Sequence, residues 1–233
     1  MSGAPFAPWA LRGEAIVGFT RRRLRVELPL GIRPALGPTM VTASRFTDSP
    51  VGPYLQLAVA VPARIGVRLG WHVALMVVDR QDARTGARLN WGFPAELGAL
   101  RWRSDEHRRE LVWDDREIVV RATGRGPKVP MAVPHRELQS RGDGPVMVPD
   151  RLLGLFQLAG VHIHAYPGDP LAPLAGGHLG VLVAGANRVV REARTPIGLI
   201  APQRAPATVA ETLLVDLTHH RDAYPIEAPL VPR

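Results

Sequence analysis

Short apolar runs follow one another along the chain, separated by Pro and Gly, 23 of each, and sustained helical periods are scarce. Runs rich in Val, Ile and Leu predict strands over 15–19, 24–28, 55–61, 71–78, 100–103, 116–122, 161–165, 179–184 and 188–194. Alternation is plain in Val161-His162-Ile163-His164-Ala165, where apolar residues share one face and histidines the other. Helix signals are few. Asp150 after Pro149 predicts the cap of a short helix over 151–159. A second helix is expected over 207–217, and a single turn over 94–100 with Pro94 at its first position. Many short strands at close spacing predict an α+β chain dominated by an antiparallel β-barrel. One domain is expected over 1–233, with 224–233 as an extended tail carrying three prolines.

Composition narrows the function classes. Cysteine is absent, which excludes disulfides, thiolate metal sites and a cysteine nucleophile. The most apolar region, 54–78, is broken by Arg64, Arg68 and His72, so no membrane-spanning helix is expected. The N-terminal residues lack a basic head followed by an apolar run, and the expected location is the cytoplasm. The net charge is +8, yet 28 of the 29 basic residues are arginine and Lys128 is the one lysine, a bias typical of GC-rich coding. The densest cluster, Arg21, Arg22, Arg23 and Arg25, has no interleaved aromatics and fits no nucleic-acid motif. An anionic small molecule, such as a carboxylate or a CoA ester, is the expected partner instead of nucleic acid.

Other candidate chemistry competes with plainer roles. His162 and His164 face the same way on a strand and could pair on zinc or iron with His178, but no carboxylate sits at a matching position, and no metal is expected. Ser49, Ser104 and Ser140 lack a nucleophile-elbow setting. No nucleotide-binding glycine motif occurs, and no cofactor is expected.

Two segments carry a family resemblance. Ser49-Pro50-Val51-Gly52-Pro53-Tyr54-Leu55-Gln56 resembles the Gly-x-Tyr-x-Glu element of the acetoacetate decarboxylase-like family. Leu89-Asn90-Trp91-Gly92-Phe93-Pro94-Ala95-Glu96-Leu97 resembles its aromatic-Pro-Lys-Lys-Leu element. The resemblance implies a cone-like barrel with a buried pocket, a homo-oligomer, and in active members a lysine that forms a Schiff base with a β-keto acid. In that family the nucleophile is activated by its surroundings and a neighbouring cation.

Carried over residue by residue, the Schiff-base lysine falls on Ala95, its lysine neighbour on Glu96 and the motif glutamate on Gln56. A further pocket glutamate falls near Val41 and the substrate-binding arginine on Arg12. Tyr54, Trp91 and Phe93 are then expected to wall the pocket with Arg12, Gln56 and Ala95. Glu96 is the candidate general acid or base if it is buried; as a residue pointing to water it has no such role. The expected activity is of lyase type, an enolisation, dehydration or cyclisation of a keto acid or polyketide-like substrate without a lysine imine. Alternatives are a non-catalytic binding protein and a decarboxylase using Lys128, which its flanking prolines place in an extended connector.

Overall fold

The computed structural model describes residues 4–196 apart from 23 and 143; the expected helix over 207–217 and the tail over 224–233 lie outside the described residues. Twelve strands and one α-helix follow in the order β1 (Trp9–Thr20), β2 (Arg33–Pro34), β3 (Thr39–Asp48), β4 (Tyr54–Ile65), β5 (Arg68–Val78), α1 (Gln81–Trp91), β6 (Ala95–Leu97), β7 (Leu100–Ser104), β8 (Arg108–Trp113), β9 (Ile118–Gly124), β10 (Val129–Arg141), β11 (Gly144–His164) and β12 (Gly176–Val190). Hydrogen-bonded neighbours run β10-β5-β4-β3-β1-β12-β11, and a β10–β11 pairing closes these seven strands into a ring. Within the ring the pairings are antiparallel except where β10 meets β5 at Glu137 and Trp71, a parallel contact. From β11 the sheet continues through β9 and β8 to β7.

Alternation along the ring strands separates two cores. One face carries Trp9, Phe46, Tyr54, Ala58, Met76 and Val190. Residues from every ring strand pack in or against this cluster, so it is the inward face. The other face carries Ile16, Val41, Leu57 and Val77, covered by Leu111, Trp113, Ile118 and Val120 of the β7–β9 extension. Strands buried on both faces read as continuous apolar runs, as in 57–61.

Four local expectations are corrected. Residues 151–159 form the middle of β11, because Asp150 is a strand residue paired with His135 and Val190, and caps no helix. Residues 95–97 form β6, a short parallel partner of β5, in place of a helical turn. Residues 24–28 form no strand. The last expected strand stops at Val190, where β12 ends.

Helix α1 was not expected from hydrophobic period. Its buried face, Ala83, Gly86, Ala87, Asn90 and Trp91, has helical spacing but is built mostly from small residues. The small residues serve close packing: a Cβ on Gly86 would lie 2.3 Å from the Trp9 ring. Gly92 ends the helix in a left-handed conformation at φ 71°, and the amides of Gly92 and Phe93 bond back to the Arg88 and Ala87 carbonyls. That cap turns the chain so that Phe93 and Ala95 re-enter the inward cluster.

Candidate functional site

The Tyr54 segment and the Trp91–Ala95 segment meet on the inward face. Gln56 is paired with Val78, Ala58 with Met76, and Met76 with Ala95, so directly opposed residues set these side chains on one face. Ala95 is fully buried. Its carbonyl accepts a hydrogen bond from Arg88 Nε at 2.6 Å. Trp91 stands edge-on to Trp9 at 5.2 Å and lies 5.7 Å from Phe93, and its Nε1 donates to the Arg191 carbonyl at 2.7 Å. Tyr54 packs on Phe46 at 4.9 Å. Gln56 is buried.

Four sequence candidates do not join them. Glu96 alternates away from Ala95 on β6 and is exposed, so it cannot serve as the buried acid or base considered above. Arg12 is exposed on the outer side of β1, its neighbour Leu11 pointing inward. Val41 belongs to the outer cluster. Lys128 is exposed in the connector between β9 and β10. His178 is paired with buried Val161, so it points to the opposite side of the sheet from exposed His162 and His164. Among the described residues no group of three or more metal-ligating side chains assembles.

A polar cluster that sequence reasoning missed occupies the inward face beside these aromatics. Glu137 of β10, Asp150 of β11 and Arg188 of β12 form it, with His135 and Trp71 against it. Arg188 Nε donates to Asp150 Oδ2 at 2.5 Å, and Arg188 Nη2 donates to Glu137 Oε1. His135 Nε2 lies 3.5 Å from Glu137 Oε1, and the His135 ring stacks on Trp71 at 4.9 Å and 19°. The side chains of Glu137 and Asp150 are 3% and 2% exposed, so water does little to stabilise their charges. Glu137 Oε2, Asp150 Oδ1 and Trp71 Nε1 are buried without a hydrogen-bond partner among the described residues. A cleft of about 370 Å³ opens onto the Trp71–His135 stack, lined also by Pro62, Leu69, Gly70 and Pro134.

The electrostatics follow from burial. Desolvation pushes the Glu137 carboxyl up to about 8, with Asp150 adding to the rise and Arg188 opposing it. Desolvation lowers His135 to about 4, helped by the Arg188 cation and opposed by Asp150. Burial works against the Arg188 cation too, but Asp150 and Glu137 outweigh it and hold its pKa above the ordinary value. Tyr54 is raised by burial, and Arg188 is near enough to oppose that rise.

These shifts predict a pH-dependent stability. Folded Glu137 keeps its proton up to about pH 8, whereas the unfolded side chain releases it near its ordinary value of 4.5. Its contribution therefore falls as pH rises across that interval. His135 and His72, both lowered from 6.5, act in the opposite sense, because the unfolded imidazoles bind protons as pH falls through that value. The interval from 6.5 to about 8 is thus left to Glu137. Urea unfolding there should show a loss of about 1 kcal/mol per pH unit, and Glu137→Gln should flatten it.

Comparison with known proteins places this arrangement. A model of the acetoacetate decarboxylase family matches residues 13–140, more than half of the chain. The chain belongs to the acetoacetate decarboxylase family. The matched segment holds both sequence elements, α1, Trp71, His135 and Glu137. Among solved structures, acetoacetate decarboxylase from Legionella pneumophila is similar at a TM-score of 0.58 and 16% identity, over 83% of this chain and 89% of that one. The enduracididine biosynthesis enzyme MppR complexed with pyruvate is similar at 0.58 and 14%, over 82% and 90%. An acetoacetate decarboxylase-like enzyme from Sphingomonas wittichii RW1 is similar at 0.59 and 15%, over 82% and 95%. At these identities the likeness establishes the shared fold. No curated protein sequence matches. Among the described residues, no helix is long and apolar enough to cross a membrane.

Proposed function

We propose that the protein is an enzyme of lyase type, which enolises, dehydrates or cyclises a small keto acid or polyketide-like molecule inside the ring without a lysine imine. The observation that carries this reading is the buried Glu137–Arg188–Asp150 cluster on the inward face, combined with a single lysine that is exposed. Two carboxyl groups in different environments are the ordinary equipment of acid–base chemistry. Glu137 takes the role that Glu96 had as the candidate acid or base, because it is buried and its pKa is pushed up to about 8. Tyr54, Gln56, Trp91, Phe93 and Ala95 supply the pocket wall, as apolar and aromatic groups commonly do. MppR complexed with pyruvate lends support to a keto-acid-sized ligand. The same reading keeps one domain over 1–233, working as a homo-oligomer on a small-molecule substrate.

Incubation with a panel of α- and β-keto acids, with product detection by mass spectrometry, tests the reading. Lys128→Arg should retain the wild-type rate, and Glu137→Gln should lose about 100-fold or more. A ligand that binds and never turns over would favour a non-catalytic binding protein. Loss of turnover in Lys128→Arg would return the chemistry to lysine.

A further inference from the structure

The cluster contains an imbalance that its own hydrogen bonds do not resolve. Arg188 engages one oxygen of each carboxyl group and leaves Glu137 Oε2 and Asp150 Oδ1 unpartnered among the described residues. The third unpartnered buried atom nearby is the Trp71 Nε1 donor. The side chains are contiguous: Trp71 stacks on His135, His135 reaches Glu137, and Arg188 bridges Glu137 to Asp150. A buried polar atom left unpaired is destabilising. Three such atoms in one contiguous group mark a place where a ligand completes the bonding.

We propose that this group is an enolisation site for an uncharged carbonyl, with Glu137 and Trp71 donating hydrogen bonds to the carbonyl oxygen and Asp150 removing the α-proton. The proposal rests on the lyase reading above and names the end of the substrate that enters the cluster. That end is a ketone or aldehyde carbonyl bearing an α C–H; a carboxylate is excluded by the negative Asp150 and by the donor role of Glu137. With its pKa pushed up to about 8, Glu137 is mostly neutral near pH 7, so one of its oxygens carries a hydrogen. The pattern has a precedent in ketosteroid isomerase, where a neutral carboxylic acid donates to the oxyanion while an ionised aspartate acts as base.

The step balances without any co-reactant. The α C–H pair becomes the C=C bond of the enol, the carbonyl π pair moves to oxygen, the α-proton passes to Asp150 Oδ1, and Glu137 Oε2–H supplies or shares the proton on oxygen. Reversal returns the ketone. Arg188 is a positioning residue: its two bonds hold both carboxyl groups and set a cation beside Asp150. His135 contributes no charge near neutral pH, since its pKa is lowered to about 4, and it braces Trp71. The cleft beside Pro62, Leu69 and Pro134 leads to the Trp71–His135 stack and supplies the approach.

Proton exchange in D2O, followed by ¹H NMR, tests this with acetone, 2-butanone and cyclopentanone as uncharged probes and acetate as the carboxylate probe. The full-length protein should accelerate loss of the α-proton signal of at least one ketone and leave acetate unchanged. The rate should fall as pH rises through about 8, as Glu137 loses its proton with His135, Asp150 and Arg188 facing it. Asp150→Asn should lower the rate at least 100-fold. If that variant fails to fold, Trp71→Phe keeps the stack and both carboxyl groups, and should lower the rate about 10-fold. No acceleration with any ketone overturns the proposal, as does a rate untouched by both substitutions. Keto-acid turnover that survives Asp150→Asn overturns this assignment and leaves the lyase reading standing. Asp150-dependent exchange without net product from any keto acid supports this assignment and removes the lyase reading.

Discussion

Arg188→Met is expected to destabilise the protein by about 3–5 kcal/mol at pH 8, because breaking a buried ion network leaves charges without a partner. Arg188 Nε and Nη2 bond Asp150 and Glu137, whose side chains are 2% and 3% exposed. Without the guanidinium, two carboxyl groups on adjacent strands face one another in a dry interior. The loss should shrink at pH 6, where Glu137 can take a proton in place of the lost cation. A triple variant, Arg188→Met with Glu137→Gln and Asp150→Asn, should recover much of the stability, since replacing every charge removes the desolvation penalty along with the attraction. Urea unfolding at the two pH values measures all three quantities. A loss below about 1 kcal/mol at pH 8 would show that the cluster is solvated, as exposed ion pairs are.

Trp91→Ala should cost about 3–5 kcal/mol as well, for a different reason. Trp91 is 3% exposed, stands edge-on to Trp9, and donates its Nε1–H to the Arg191 carbonyl. Truncation leaves a cavity where α1 meets the ring strands and strips that carbonyl of its donor. Trp91→Phe separates the two effects. It keeps most of the ring volume, and its cost should come nearer to the about 1–3 kcal/mol of an unpaired buried polar group. Denaturant midpoints at constant m-value report both variants. Equal losses in the two would assign the whole effect to the hydrogen bond.

The strand-rich fold was legible because its signal is repeated. Leu57–Val61 and Val73–Val78 are continuous apolar runs, mostly buried, and no helical period competes with them. The family elements were legible from Tyr54 and from Trp91-Gly92-Phe93-Pro94. Helix α1 was hidden because its inward face is made largely of Ala and Gly, which register weakly as hydrophobic although their spacing is helical. Asp150 misled in the same region of chemistry: after Pro149 it has the look of an N-cap, and only its cross-strand partners His135 and Val190 show it to be a strand residue. A sharper signal was present. Val146, Val148, Asp150 and Leu152 alternate along β11, so the aspartate interrupts an apolar stripe. Arg188 between Ala186 and Val190 interrupts an inward stripe likewise, and Glu137 is a buried charged residue between His135 and Gln139. A charged residue on the apolar face of a strand is a candidate for a buried site, and three of them on three paired strands form this one. Arg12, the only arginine carried over from the family pattern, could not have pointed to Arg188, because the two lie on different strands and face opposite ways.

The most direct test of the account is reductive trapping. Active family decarboxylases hold their substrate as an imine on a neutral, desolvated lysine, and borohydride makes that link permanent. Here the family resemblance sets Ala95 at that lysine's position, the one lysine is exposed, and arginine stays protonated and cannot form the imine. The protein mixed with acetoacetate and borohydride and weighed intact by mass spectrometry should show no stoichiometric adduct. A single adduct that maps to Lys128 and disappears in Lys128→Arg would contradict the account and assign the chemistry to a displaced lysine nucleophile.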